Sequence, residues 1–390
     1  MSGTGNNGRT LLPMKIRRLN YLALGHMISD LYPGMLSPLL PLILERYGLT
    51  MAMAGVLIMV LQVCSNLSQP FVGFLNDNRS MKSFLWIGLL VSAVPFSLLF
   101  ILGRIELMIV ALAFTGIGVG MYHPVAAVAA GRIAKGERSG LVMAFFSSGG
   151  SFGFMIAPLI VVLIVKILGE QYMPLVIVPA VVMTLVFMSD PDITVSEKRT
   201  TTIGEWFETL RECRRELSIL SLVASCRAIV HLNIGAFLPL LAMSRGASYV
   251  TSAYFLTGSL FAAMIGMFVG GYLSDIHGRR KIMAITLFAA APLLFLFLHS
   301  TGVVSTIALL LGMGTLSSTI PVNINLAQRA APDHASIASS FVMGLPFAFA
   351  ALVSPFFGAL ADNIGIGTAM NALFALPIIG AIAVFFLRQD

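Results

Sequence analysis

The chain has 390 residues, of which 57% are hydrophobic and only 11% charged. Soluble domains carry about 25% charged residues, so a mean hydropathy of +0.92 excludes a soluble globular protein and points to a polytopic membrane protein. The net charge of +7 is not a nucleic-acid signal, because the basic residues cluster between apolar runs, as topology signals do.

A spanning helix needs ~20 mostly apolar residues. Twelve such windows are predicted, at 19–44, 51–75, 83–103, 106–130, 140–168, 172–189, 218–243, 250–274, 282–299, 302–328, 336–361 and 366–387. The N-terminus is polar, then basic (Lys15, Arg17, Arg18), then apolar. That apolar run is too long for a signal-peptide core and no small-residue cleavage pattern follows it, so it reads as the first span.

Span one contains His26 and Asp30, four apart and therefore on one helix face. Asp30 lies near the middle of a ~30 Å hydrocarbon core. A carboxylate there costs several kcal/mol if it faces lipid. Two readings follow: Asp30 exchanges protons, with His26 sharing the proton because imidazole titrates near neutrality, or it pairs permanently and only fixes helix packing. In span four His123 precedes Pro124, whose missing N–H loosens the helix. His123 either lines a cavity or bonds a freed carbonyl. Span five carries SSGGSFG at 147–153, small residues that let helices approach closely.

The segment 190–217 is the one long polar stretch, and Trp206, Phe207, Leu210 and Leu217 there have helical spacing against Glu and Arg. It is predicted to be an amphipathic helix on the membrane surface. Span seven holds Arg227 at depth, with His231 one turn further on the same face. In span ten Asn323, two residues after Pro321, is the cavity-facing polar residue, while Asn325 suits a bond to a neighbouring helix. Cys64, Cys213 and Cys226 show neither paired nor metal-ligand spacing, so no disulfide and no metal site is expected.

Of the 24 Lys and Arg residues, only Arg46, Arg104, Lys166 and Arg245 fall on the side opposite the N-terminus, and Arg227 falls inside a span. The positive-inside rule then places both termini and the central linker in the cytoplasm.

The halves repeat at an offset of 197 or 198. GFLNDNRSMK at 73–82 falls over GYLSDIHGRRK at 271–281, Pro124 over Pro321, APLI at 157–160 over SPFF at 354–357, and LLPL at 39–42 over FLPL at 237–240. Such repeats are typical of secondary transporters, whose substrate site lies near the midplane between the halves. The same offset of 197 sets Asp30 over Arg227, so the two are candidates for a buried pair.

These residues resemble the major facilitator superfamily. Its signature loop between spans two and three is similar to Gly73, Asp77, Arg79 and Lys82, and its echo between spans eight and nine to Gly271, Asp275, Gly278, Arg279, Arg280 and Lys281. The resemblance implies that these loops pair with neighbouring helix ends and latch one conformation. It also implies that spans one, four, seven and ten line the cavity. His26-x-x-x-Asp30, LSQPFVGFLND at 67–77 and GMYHPVAAVAAGRIAKGERSGLVMAFFSSGGSFG at 120–153 resemble the fosmidomycin-resistance-type exporters within it. Those exporters follow His-Pro with Glu, where this chain has Val125.

The expected fold is therefore an all-α membrane protein. Twelve transmembrane helices form two pseudo-symmetric six-helix bundles, 1–189 and 218–390, joined by the cytoplasmic linker 190–217. The expected function is a proton-coupled exporter (antiporter) of a small anionic or zwitterionic drug or metabolite by alternating access. The alternatives are a proton-coupled symporter importing an organic anion and, third, a non-transporting receptor. Asp30, His26 and His123 are assigned to proton coupling, and Arg227, His231 and Asn323 to substrate. Gly73, Asp77, Arg79, Gly271, Asp275, Arg279 and Arg280 are assigned to the latch. No enzyme is expected, since His-Glu-x-x-His, Gly-x-Ser-x-Gly and phosphate-loop patterns are absent. No cofactor is expected beyond a proton gradient. The expected partners are the solute, protons and the lipid bilayer, not nucleic acid, with the chain acting as a monomer in a bacterial-type inner membrane.

Overall fold

The structure, a computed structural model, describes residues 7–133, 139–190, 193, 204, 208, 211–332 and 335–387. The amphipathic helix predicted around Trp206, Phe207 and Leu210 lies outside the described residues, as does the side chain of Asp77.

The described residues form helices joined by short connections, with no strand among them, as hydrocarbon requires of a chain that must satisfy its own backbone polar groups. The helices of the N-terminal half are α1 (Asn7–Tyr47), α2 (Met51–Asn78), α3 (Phe84–Ser97), α4 (Ile105–Ile133), α5 (Ser139–Leu163) and α6 (Val178–Ser189). Those of the C-terminal half are α7 (Arg214–Ser244), α8 (Tyr249–His277), α9 (Arg279–His299), α10 (Gly302–Ser317), α11 (Thr319–Ala330), α12 (Ala335–Ile364), α13 (Ile366–Phe374) and α14 (Leu376–Val384). Among the described residues, eleven helical stretches are long and apolar enough to cross a membrane, and the shorter apolar α3 supplies the twelfth span.

Prolines explain the interruptions. Span ten breaks into α10 and α11 at Ser318. Pro321 cannot bond the Ser317 carbonyl four residues back, and its ring crowds that carbonyl. Pro377 does the same to Leu373, and span twelve breaks at Ala375. After Pro95, α3 ends in tighter turns, with Leu98 N–H bonded to Pro95 O at 3.2 Å and Leu99 N–H to Phe96 O at 3.2 Å.

By packing, the chain divides into two units: Met1–Met35 with Leu67–Thr200, and Leu36–Asn66 with Thr201–Asp390. The dividing line passes through α1 and α2 rather than through the 190–217 linker alone. In the first unit Tyr32 and Tyr122 are fully buried, and their hydroxyls donate to Val176 O (3.1 Å) and Leu22 O (2.7 Å). At the end of α6, Asp190 accepts two 3.0 Å bonds from the Arg18 guanidinium of α1. In the second unit the start of α2 rests on α12. The Asp362 carboxylate accepts from Met51 N–H (2.8 Å) and Ala52 N–H (2.9 Å), capping orphan donors of a helix N-terminus. Side chains at Gly55 and Gly358 would collide with the backbone at Ser354 and Met51, so glycine permits this approach.

The internal repeat recurs in space. A Cβ on Gly73 would sit 3.9 Å from Pro124, and one on Gly271 would sit 3.7 Å from Pro321.

Candidate functional site

The first cluster lies in the first unit and is built from three helices. The i,i+4 spacing of α1 sets His26 and Asp30 on one face, and Asp30 is only 6% exposed. From α4, His123 brings Nε2 to 2.8 Å from Asp30 Oδ1. His26 Nε2 lies 3.4 Å from Asp30 Oδ2. From α5, the Phe146 carbonyl accepts from His26 Nδ1 at 3.0 Å, and the Phe146 ring stacks on the imidazole at a centroid distance of 4.5 Å. The two imidazoles meet edge-on, 4.8 Å apart. One carboxylate is thus held by two imidazoles, as a buried charge requires.

The SSGGSFG run makes the cluster possible. A methyl on Gly150 would collide with Asp30 Oδ2 and lie 2.6 Å from His26 Nε2. Side chains on Gly149 and Gly153 would collide with the α1 carbonyls of Ala23 and Met27. The neighbouring Tyr122–Leu22 bond ties α4 to α1 beside His123. Val125 is fully buried and apolar, so the position where the exporters carry an acid belongs here to the packed core.

The second cluster lies in the second unit. Arg227 on α7 is 3% exposed. The Phe347 ring of α12 lies 5.1 Å from its guanidinium carbon, within cation–π range. Its Nη1 has no hydrogen-bond partner among the described residues. His231 follows one turn later, its Nδ1 3.3 Å from Ser317 Oγ at the break in span ten. Asn323 on α11 donates to Leu220 O at 3.2 Å, while its Oδ1 is buried without a partner among the described residues. Asn325 Oδ1 likewise has none among them.

Among the signature residues, Asp275 accepts from Arg279 within its own loop at 3.0 Å. Arg280 donates to Phe385 O at 3.0 Å, capping the end of α14 with a cation where a helix C-terminus favours one. Arg79 is exposed.

Sequence reasoning had named His26, Asp30, His123, Arg227, His231 and Asn323, but missed Phe146 and Phe347. The Phe146 contribution includes a backbone carbonyl, which any residue type could supply. Phe347 is one of 27 phenylalanines, and nothing in its local pattern marks it.

Spanning helices in repeated halves, with deep polar clusters, are the architecture of a membrane carrier. The Major Facilitator Superfamily matches residues 22–343, and the chain belongs to that family. It is 25% identical to the fosmidomycin resistance protein of Escherichia coli (strain K12), over 94% of this chain and 92% of that one. It is 27% identical to the uncharacterized MFS-type transporter YfnC of Bacillus subtilis (strain 168), over 98% and 94%. Among solved structures, a D-xylose-proton symporter superposes with a TM-score of 0.79 at 13% identity, covering 97% of this chain and 98% of that one; this likeness concerns the fold alone.

Proposed function

We propose that the protein is a proton-coupled secondary transporter of a small anionic or zwitterionic solute, working by alternating access as a monomer. The observation that carries this is a pair of deep, opposite charges with different surroundings. Asp30 is hydrogen-bonded by His123 and lies at ion-pair distance from His26. Arg227 is buried with a guanidinium nitrogen that has no hydrogen-bond partner among the described residues. In this scheme the Asp30 cluster carries the coupling proton, and Arg227, with His231 and Asn323, receives a carboxylate or phosphate of the solute. Differential affinity of the two conformations for proton and solute lets the gradient do work.

The first direction is proton symport, the import of an organic anion; a D-xylose-proton symporter shares this fold. The second direction, export by antiport, is favoured by the full-length likeness to a fosmidomycin resistance protein. The Lys/Arg asymmetry supports cytoplasmic termini in a bacterial inner membrane. The signature loops, with Arg279 on Asp275 and Arg280 on the end of α14, serve in this scheme as the latch, together with Gly73, Asp77, Arg79 and Gly271.

A thermal-shift screen of metabolites and antibiotics on the purified protein identifies the solute by ligand stabilisation. Flux of the hit is then measured in proteoliposomes under pH gradients of either sign. Accumulation toward the alkaline side means symport, and accumulation toward the acidic side means antiport. Flux through Asp30→Asn that still follows the gradient unchanged would overturn the coupling role.

A further inference from the structure

The His26–Asp30 contact is long, at 3.4 Å, where the neighbouring His123–Asp30 contact is 2.8 Å. The Phe146 carbonyl can only accept, so His26 Nδ1 carries the hydrogen in the 3.0 Å bond between them. In neutral His26 the other nitrogen, Nε2, is then a bare lone pair. It faces Asp30 Oδ2, also an acceptor, at 3.4 Å. Two acceptors held face to face call for a cation between them, either the proton of a charged His26 on Nε2 or a metal ion.

The spacing suits a metal ion. Ligands about 2.0–2.2 Å from a tetrahedral centre lie roughly 3.3–3.5 Å from each other. The third ligand is at hand: His123 Nε2 hydrogen-bonds Asp30 Oδ1 directly at 2.8 Å, a contact that must open by about half an ångström for both residues to bind one ion, and the ligand atoms of all three residues fall within 4.8 Å of one another. The surrounding shell has the form metal sites use, in which a ligating histidine donates its other N–H to a backbone carbonyl that fixes tautomer and ring orientation. Phe146 O does this for His26, and the Phe146 ring stacked at 4.5 Å holds the imidazole plane. Gly150 holds α5 close without placing a side chain on the ligand atoms.

We infer that His26 Nε2, His123 Nε2 and the Asp30 carboxylate form a binding site for a divalent transition-metal ion of the zinc class. Two imidazoles and one carboxylate suit Zn2+ and its borderline neighbours, not Ca2+ or Mg2+, which take oxygen ligands. Three protein ligands leave an open coordination position for water or an anionic group. The ion would join α1 to α4. The inference goes beyond the transport reading and does not depend on it or on the direction of transport.

The test uses the full-length, untagged protein in detergent. Titration calorimetry with ZnCl2 is expected to show one ion per chain, bound in the micromolar range or tighter, with no response to CaCl2 or MgCl2. Co2+ is expected to give visible absorption of a nitrogen- and oxygen-ligated centre. His26→Gln and His123→Gln are each expected to weaken Zn2+ binding at least about tenfold, while His277→Gln and His299→Gln leave it unchanged. Absence of stoichiometric Zn2+ binding to the wild-type chain would overturn the inference. So would a thiolate-to-Co2+ charge-transfer band, which would place the ion on cysteine, or undiminished binding in both His26→Gln and His123→Gln. The wild-type measurements stand even if a variant misfolds. Gradient-driven transport without Zn2+ binding defeats this inference alone, and Zn2+ binding without gradient dependence defeats the transport coupling alone.

Discussion

The buried acid of α1 and the buried base of α7 occupy matching places in the sequence repeat but are accommodated in opposite ways. Asp30 has two imidazoles within hydrogen-bonding or ion-pair distance, and a backbone carbonyl fixes one of them. Arg227 has an aromatic ring and a guanidinium nitrogen with no partner among the described residues. A hydrogen-bonded charge is part of its unit's structure. A buried charge with a ring and an unmatched nitrogen among its surroundings adds little to its unit's stability, because desolvation offsets what the contacts return. The difference teaches that the two positions have unlike tolerances: structure should suffer when Asp30 is removed, and function alone when Arg227 is.

Four substitutions break or sharpen that contrast, each read by thermal unfolding of the purified protein alongside transport. The largest effect is expected from Gly150→Val, which forces bulk onto Asp30 and His26 and should cost about 3 kcal/mol with loss of transport. Wild-type stability in that variant would show that α5 does not confine the cluster. Asp30→Ala removes a charged hydrogen-bond partner and should cost about 2 kcal/mol; an unchanged melting temperature would erase the contrast with Arg227. Tyr122→Phe deletes the donor to Leu22 O and should cost about 1 kcal/mol, with transport largely kept. Arg227→Met should leave stability within about 1 kcal/mol of wild type or raise it, while solute-induced stabilisation disappears. A marked loss of stability there would mean that Arg227 is as structural as Asp30.

Much of the fold was legible because membrane constraints are written in composition. The window predicted at 218–243 became Arg214–Ser244, and that at 106–130 became Ile105–Ile133. Span ten was predicted as one window, 302–328; its break at Ser318 is explained by Pro321 but was not foreseen. The candidate site was legible where its geometry is local: His26 and Asp30 share a face by helical periodicity. His123 meets them across nearly a hundred positions of sequence, and a family resemblance, not periodicity, tipped it toward the cavity. The carbonyl of Phe146 and the ring of Phe347 were illegible, since the first carries no residue identity and the second no distinctive spacing. SSGGSFG signalled close packing, but that its glycines face a carboxylate and an imidazole depends on how α5 is rotated about its axis, which polarity could not reveal in so apolar a helix.

The Asp362 cap on α2 and the glycine contacts between α2 and α12 bear on the order in which the protein is made. Residues 36–66 are synthesised among the first in the chain, yet they pack in the unit that contains Thr201–Asp390. When the ribosome has reached the linker, the surface for the beginning of α2 has not been translated. Those early residues must be sheltered by lipid or by insertion machinery until α12, almost the last long helix, leaves the ribosome. Biogenesis of this carrier thus ends by returning to its beginning, and a truncation that removes only α12 should harm a segment made some three hundred residues earlier.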